Sequence, residues 1–406
     1  MRRTRTVLLC IAGLVAATLP AGAGAGAGAA AAAAPQACVR TPGPAQGQAG
    51  EVLGVAERAK RELGLNSLIL RVSEDGKELV TAALGESVTG VPADPAMHFR
   101  SGSVAIAYMT TVLLQLADEG RASLDDPLSR WLPDAPHAEE ITLRQLGSST
   151  SGLHDYVTDP KFLAELEAAP FRHWTPAEVI GIAAAHPLWY EPGTGFSYSH
   201  ANFQLLGAAL EKISGVSLER LLEERVMEPL GLGQTANGAT PEIPVPALHS
   251  FTSERGIYEE SSYWNPSWTT APGAVLTTDI CDLERSARAI GTGELLSAEA
   301  FRTQLNPGTV GLGTPTGGCP ATVCLKNTEA AHFGFGVIVV NGWIEQNPSF
   351  SGYAAIQAYL PAEKLAIAVS ATKGPKTPEG NQAEVVAERI AALLAPDHPL
   401  KAKRPS

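Results

Sequence analysis

Few side chains in this sequence combine a reactive type with an informative spacing. Ser370, Ala371, Thr372 and Lys373 place a lysine three positions after a serine, a spacing that sets hydroxyl and amine on one face of a helix. Here, however, the pair follows an apolar β-rich run and precedes Gly374-Pro375, so it reads as a strand end and turn. His154 and Asp155 follow Ser151-Gly152 at a loop that could border a cleft, and His186 lies between Ala185 and Pro187. No His, Asp or Glu set has metal-ligand spacing, and no glycine-rich phosphate loop follows a strand, so neither metal nor cofactor is expected. Trp264, Trp268, Tyr258 and Tyr263 gather in one loop region. Packing of that loop is preferred there over a ligand pocket.

Cysteine chemistry depends on where the chain resides. Arg2, Arg3 and Arg5 precede an uncharged apolar run from Val7 to Leu19, and small residues follow from Ala21 to Ala34. This is the pattern of a signal peptide with several cleavage options, and the run is too short for a membrane span. The chain is therefore expected to be secreted. Cys10 follows Leu9 rather than a small residue, so a lipid anchor is not expected. Removal of the signal leaves Cys38, Cys281, Cys319 and Cys324, an even number that favours disulfides in an exported chain. Cys319 and Cys324 lie in the Gly/Pro-rich run GTPTGGCPATVC and are expected to close a small staple. The sequence leaves the pairing of Cys38 with Cys281 open.

The 406 residues carry a formal net charge of -12, with 45% hydrophobic and 18% charged residues. This composition supports a full core. The acidic balance and the absence of a Lys/Arg cluster argue against nucleic acid as a partner. Residues 1–36 read as signal and low-complexity export region, 37–48 as linker, 49–396 as one domain and 397–406 as a tail. Periodicity predicts helices over Glu51 to Leu63, Val104 to Glu119, Ala201 to Ile213, Leu218 to Met227 (stopped by Pro229) and Gln382 to Leu394. Strands are expected at Ser67 to Val72, Glu78 to Leu84, Gly334 to Asn341, Tyr353 to Tyr359 and Leu365 to Ser370. Strands near both ends with helices between them predict an α+β unit: one shared sheet with a helical lobe inserted beside it.

Ordered motifs sharpen this reading. FRSGSVAIAYMTTVLLQLADEG is followed by Leu124-Asp125-Asp126-Pro127, then Thr150-Ser151-Gly152-Leu153, Glu191-Pro192-Gly193, FSYSHANFQLLGAALEKISG and MEPLGLGQT. Over about residues 50 to 395 the chain resembles the serine β-lactamase (class C-like), D-alanyl-D-alanine carboxypeptidase and esterase family. The resemblance implies an antiparallel sheet flanked by helices and acyl transfer through a serine. It places the nucleophile at Ser103. The lysine expected three positions later, on the same helical face, is Ile106, and no lysine occurs between Lys77 and Lys161. The Tyr-x-Asn motif becomes Tyr198-Ser199-His200: the tyrosine carries over, and a histidine stands where asparagine is expected. Aligning Gly352-Tyr353 with the family's Gly-Tyr places the third motif at Gln346-Asn347-Pro348, with Gln346 and Asn347 as candidate binding residues. A cationic or donor position is thus Gln346, and a glycine position is Pro348, which lacks a backbone donor.

Two function classes follow. The first is weak or lost serine acyl transfer on a β-lactam, ester or cell-wall peptide, with Ser103 attacking and Tyr198 handling the proton. A serine hydroxyl without a positioned base is a poor nucleophile. A relocated mechanism through a Ser103–His200 pair would require hydrogen-bond reach. The second class is a non-catalytic module that binds cell-wall peptide, a small molecule or a protein in the same cleft.

Overall fold

The computed structural model describes residues 38–238 and 240–401. The expected signal peptide, with Cys10, lies outside the described residues. Successive side chains of a strand alternate between faces, and here both faces are apolar. Leu68, Leu70, Val72, Ile356 and Val369 join one core, while Ile69, Ala83, Ala355 and Ala368 join the other. A sheet of this kind must be covered on both sides.

Its strand order is Val91–Pro92, Lys77–Val88, Ser67–Glu74, Leu365–Thr372, Tyr353–Leu360, Trp343–Gln346, Ile338–Val340 and Ala331–Phe333, with Ser349–Phe350 also paired to Tyr353–Leu360. Every pairing is antiparallel. The first helix, Gly47–Leu63, and the last, Gln382–Leu394, supply Val52, Ala56, Ala387 and Ile390 to one core. The other core lies between the sheet and the inserted helices, among them Val104–Asp118, Pro176–Ala184, His200–Ser214 and Ile280–Thr292. Helix Val104–Asp118 is buried almost all round, as its nearly uncharged sequence requires.

Several expectations hold closely. The last helix has the predicted bounds, and the strand at Ser67 runs two residues further, to Glu74. Ser370 lies in the strand Leu365–Thr372, and Lys373 follows it, paired with Glu379. Others change. The apolar run from Gly334 is not one strand: Ala331–Phe333 and Ile338–Val340 form a hairpin around a turn. Pro229 does not stop its helix. Helical turns continue through Glu223–Met227 and Glu228–Leu230, and Gly231 closes them with φ 66°. At a first helical turn proline loses no hydrogen bond that would otherwise form. A small sheet was not expected: Val275–Thr278 pairs with both Phe99–Arg100 and Ala236–Gly238.

Both disulfides are present, Cys319–Cys324 as expected and Cys38–Cys281 as the pairing left open. Cys38–Cys281 ties residues 243 positions apart and anchors the start of the described chain to helix Ile280–Thr292. Among the described residues no helix is long and apolar enough to cross a membrane.

Candidate active site

The small sheet sets the position of Ser103. Phe99 and Arg100 pair with Thr278 and Thr277, and the Ser101 backbone N–H donates to the Leu276 carbonyl at 3.2 Å. The Arg100 guanidinium, buried, donates to the Ser262 and Pro241 carbonyls. The chain then turns at Gly102, with φ 41°, and Ser103 already has helical dihedrals at the mouth of Val104–Asp118. Gly102 is required here. A Cβ would lie 2.8 Å from the Pro348 Cβ and 2.9 Å from the Phe350 ring, inside any tolerable contact.

One turn further on, Ile106 is fully buried in the larger core. The turn Gly334–Val337 presses on it: a Cβ on Gly336 would lie 2.9 Å from the Ile106 carbonyl oxygen. A lysine here would carry its ammonium into hydrocarbon, which disfavours the charged form.

Tyr198 precedes helix His200–Ser214, whose N-cap is Ser199. Its hydroxyl lies near the Ser103 side chain. Burial raises the phenol well above its ordinary range; the neighbouring Ser103 hydroxyl opposes this and the Asp155 charge adds to it. No cation contributes to lowering it. The Tyr198 ring packs against Phe203 and Phe333, with centroids 5.7 Å and 6.0 Å away.

His200 meets the Tyr198 ring edge-on at 5.1 Å. Its Nδ1 lies 3.0 Å from both carboxylate oxygens of Asp155, which also accepts the His200 backbone N–H at 3.2 Å. Tyr156 and Trp268 complete its surroundings, at 5.9 Å and 6.3 Å between ring centroids. The loop carrying Asp155 is held by polar bonds: Ser199 Oγ donates to the His154 carbonyl, Asn202 Nδ2 to Ser149 Oγ, and Ser149 Oγ to the Ser197 carbonyl. His154 stacks on Trp189 at 3.8 Å and on His186 at 4.7 Å, and burial lowers its pKa, assisted by His186.

The opposite wall is the segment after strand Trp343–Gln346. Gln346 is buried and its Nε2 donates to the Gly336 carbonyl at 2.6 Å, while Asn347 Nδ2 donates to Glu384 at 3.1 Å. Both amides are thus engaged within the fold. What faces the Ser103 loop is Pro348 and Phe350, and Phe350 meets Trp268 at 6.0 Å. Of the loop aromatics, Trp264 and Trp268 are buried, whereas Tyr258 and Tyr263 are exposed.

Two cavities lie away from this site. One, of about 270 Å³, is lined by Arg100, Asn237, Thr240 and Thr277; the other, of about 440 Å³, by Gln46, Glu51, Arg58 and Leu393. Among the described residues no three His, Cys, Asp or Glu side chains converge as metal ligands.

The structure therefore brings Ser103, Tyr198 and His200 together and leaves Gln346 and Asn347 in internal bonds. Asp155 had been noted only as a loop neighbour of His154. Its contact with His200 crosses 45 positions and two loops, so no spacing signals it.

The chain is 29% identical to esterase EstB of Burkholderia gladioli over 45% of this chain and 50% of that protein. It is 30% identical to penicillin-binding protein 4 of Amycolatopsis lactamdurans over 55% and 58%. These alignments span half to three-fifths of the relatives' lengths. Among solved structures, a D-stereospecific amidohydrolase from Streptomyces sp. superposes with a TM-score of 0.69, at 24% identity over 84% of this chain and 98% of that one. A D-amino acid amidase from Ochrobactrum anthropi SV3 gives 0.70, at 20% identity over 86% and 97%. These two likenesses establish the fold. The Beta-lactamase family model matches residues 48–392, and the chain belongs to that family.

Proposed function

We propose that this chain is an exported serine acyl-transfer protein of the β-lactamase and DD-peptidase type. Ser103 is its nucleophile, Tyr198 its hydroxyl partner, and turnover is slow. The observation that supports this reading is the Tyr198 hydroxyl held near the Ser103 side chain, one turn from a fully buried Ile106. The nucleophile and one proton-carrying partner are retained, while the position of the activating cation is hydrocarbon. Loss of one member of a nucleophile–base unit costs on the order of 10⁴ to 10⁶ in rate. The charge acting on the Tyr198 phenol is the Asp155 carboxylate, which favours an uncharged ester or amide over an anionic substrate at this corner. The two disulfides accord with an oxidising, extracellular setting.

A second reading has its own support. Pro348 and Phe350 press against Gly102, beside Ser103. On that reading the chain is a non-catalytic module that binds a small molecule, a cell-wall peptide or a protein.

Intact-protein mass spectrometry after incubation with a fluorophosphonate, and separately with a penicillin, distinguishes the two. The first reading expects one slow adduct on Ser103, lost in Ser103→Ala. Folded protein without an adduct, or labelling unchanged in Ser103→Ala, would remove the first reading and leave the second.

A further inference from the structure

We infer that His200, held by Asp155, is the general base that hydrolyses an acyl group from Ser103. This rests on Ser103 being the nucleophile, as proposed above.

Three observations carry it. First, the imidazole is oriented. Asp155 takes Nδ1 at 3.0 Å from both of its oxygens and the His200 backbone N–H at 3.2 Å. A carboxylate on Nδ1 keeps the proton there and leaves Nε2 as the free lone pair. Second, Nε2 has no hydrogen-bond partner among the described residues, while Nδ1 is fully engaged. The His200 side chain retains 17% of its exposure and the Asp155 side chain 13%. The pair is thus partly open to solvent, which can supply a water to the free nitrogen. Third, His200 packs on the group next to Ser103: its ring lies edge-on to Tyr198 at 5.1 Å, and the Tyr198 hydroxyl lies near the Ser103 side chain.

The remaining surroundings exclude other bases. Tyr156 donates its hydroxyl to the Trp268 carbonyl at 2.5 Å, and Trp268 offers only an indole donor. Tyr198, raised by burial, keeps its proton. Asp155 is the charged group that faces His200.

The step balances without a co-reactant beyond water. A water oxygen bonds to the acyl carbon while Nε2 takes one of its protons. The carbon–Oγ bond then breaks, and Oγ recovers that proton from Nε2. The products are a carboxylic acid and free Ser103, with the imidazole neutral again. Asp155 acts as a positioning residue through the ring it holds.

The test uses the full chain and p-nitrophenyl acetate, with release of p-nitrophenol followed beside intact mass. His200→Asn, which installs the residue the family motif carries, should leave fluorophosphonate labelling of Ser103 within a few-fold. It should let the acetyl-enzyme accumulate and slow its hydrolysis by about 10² to 10⁴. Asp155→Asn should slow the same step by about tenfold or more. Added imidazole should restore hydrolysis in His200→Ala, a response that a merely structural histidine would not give. Thermal melts identify any variant that fails to fold. Hydrolysis at the wild-type rate in folded His200→Asn overturns the inference and leaves Ser103 as nucleophile. Absence of any Ser103 adduct in the wild-type protein overturns both.

Discussion

The two walls of the cleft have been treated differently. On the wall made by Ser103, Tyr198 and His200, the polar side chains converge: a hydroxyl near a hydroxyl, a carboxylate on an imidazole, and a serine–asparagine network behind them. On the wall made by residues 346 to 350, Gln346 and Asn347 are engaged within the fold, and a proline and a phenylalanine face the nucleophile loop instead. The first wall is polar; the second is apolar packing. The two can differ because each is positioned by separate elements. Ser103 hangs from the three-stranded sheet, His200 from the helical lobe, and Pro348 from the large sheet.

This contrast can be broken or sharpened by substitution. The largest stability effect is expected at Ile106. Ile106→Lys places an unpaired charge in a fully buried site and should cost about 3 to 5 kcal/mol, measured as a shift in the denaturant midpoint, whereas Ile106→Val should cost only about 1 kcal/mol. A stable Ile106→Lys protein would show that this wall still accepts the family's cation and would remove the reason for a relocated base. Phe350→Ala comes next. It removes a half-buried ring from Gly102 and Trp268 and should cost about 2 kcal/mol. If Phe350 obstructs the cleft, Ser103 labelling should accelerate several-fold in the same variant; an unchanged rate would mean that the apolar wall does not limit access.

The smallest effect is expected at Glu345, behind the second wall. Its side chain is buried, one carboxylate oxygen is unpaired, and burial raises its pKa well above the usual value, with Glu384 and Glu388 adding to the rise. A folded-state pKa above the unfolded one means that the folded protein binds the extra proton. This stabilising contribution is fully present below the unfolded pKa of about 4.3 and is lost as the pH rises through the folded value. Glu345→Gln removes that titration, so the melting temperature should exceed that of the wild type by roughly 2 °C at a pH above the folded value, with the gap closing as the pH falls to about 4. A flat difference across pH would mean that the carboxylate is solvated in the folded state.

Much of the scaffold was legible because it depends on local periodicity. Helix Gln382–Leu394 has the bounds its apolar spacing predicts, with Asn381 capping it. The two-faced apolar strands Tyr353–Leu360 and Leu365–Thr372 were legible as buried β runs. The small sheet was not, because strands of two to four residues such as Phe99–Arg100 and Val275–Thr278 carry too few alternations to register. Pro229 misled because its neighbours form a wide helical turn that gives the ring a fresh first turn. At the site, Ser103, Ile106, Tyr198 and His200 were legible as positions, since their motifs are contiguous. The direction of Gln346 and Asn347 was not, since a strand-end side chain faces the cleft or the interior according to the register with its neighbour.

The sequence by itself determined the alternation that requires a sheet covered on both faces, the buried helix behind Ser103, the absence of a lysine on that helix, and the even set of cysteines. These follow from residue type and short spacing, which act within a few turns of chain. The tertiary structure alone decided that Cys38 meets Cys281, that Asp155 takes the imidazole of His200, that Tyr198 reaches Ser103, and that Phe350 closes on Gly102. Each of these joins segments brought together only when the two cores pack. A contact over 45 or 243 positions depends on the burial of everything between, and no local propensity encodes it.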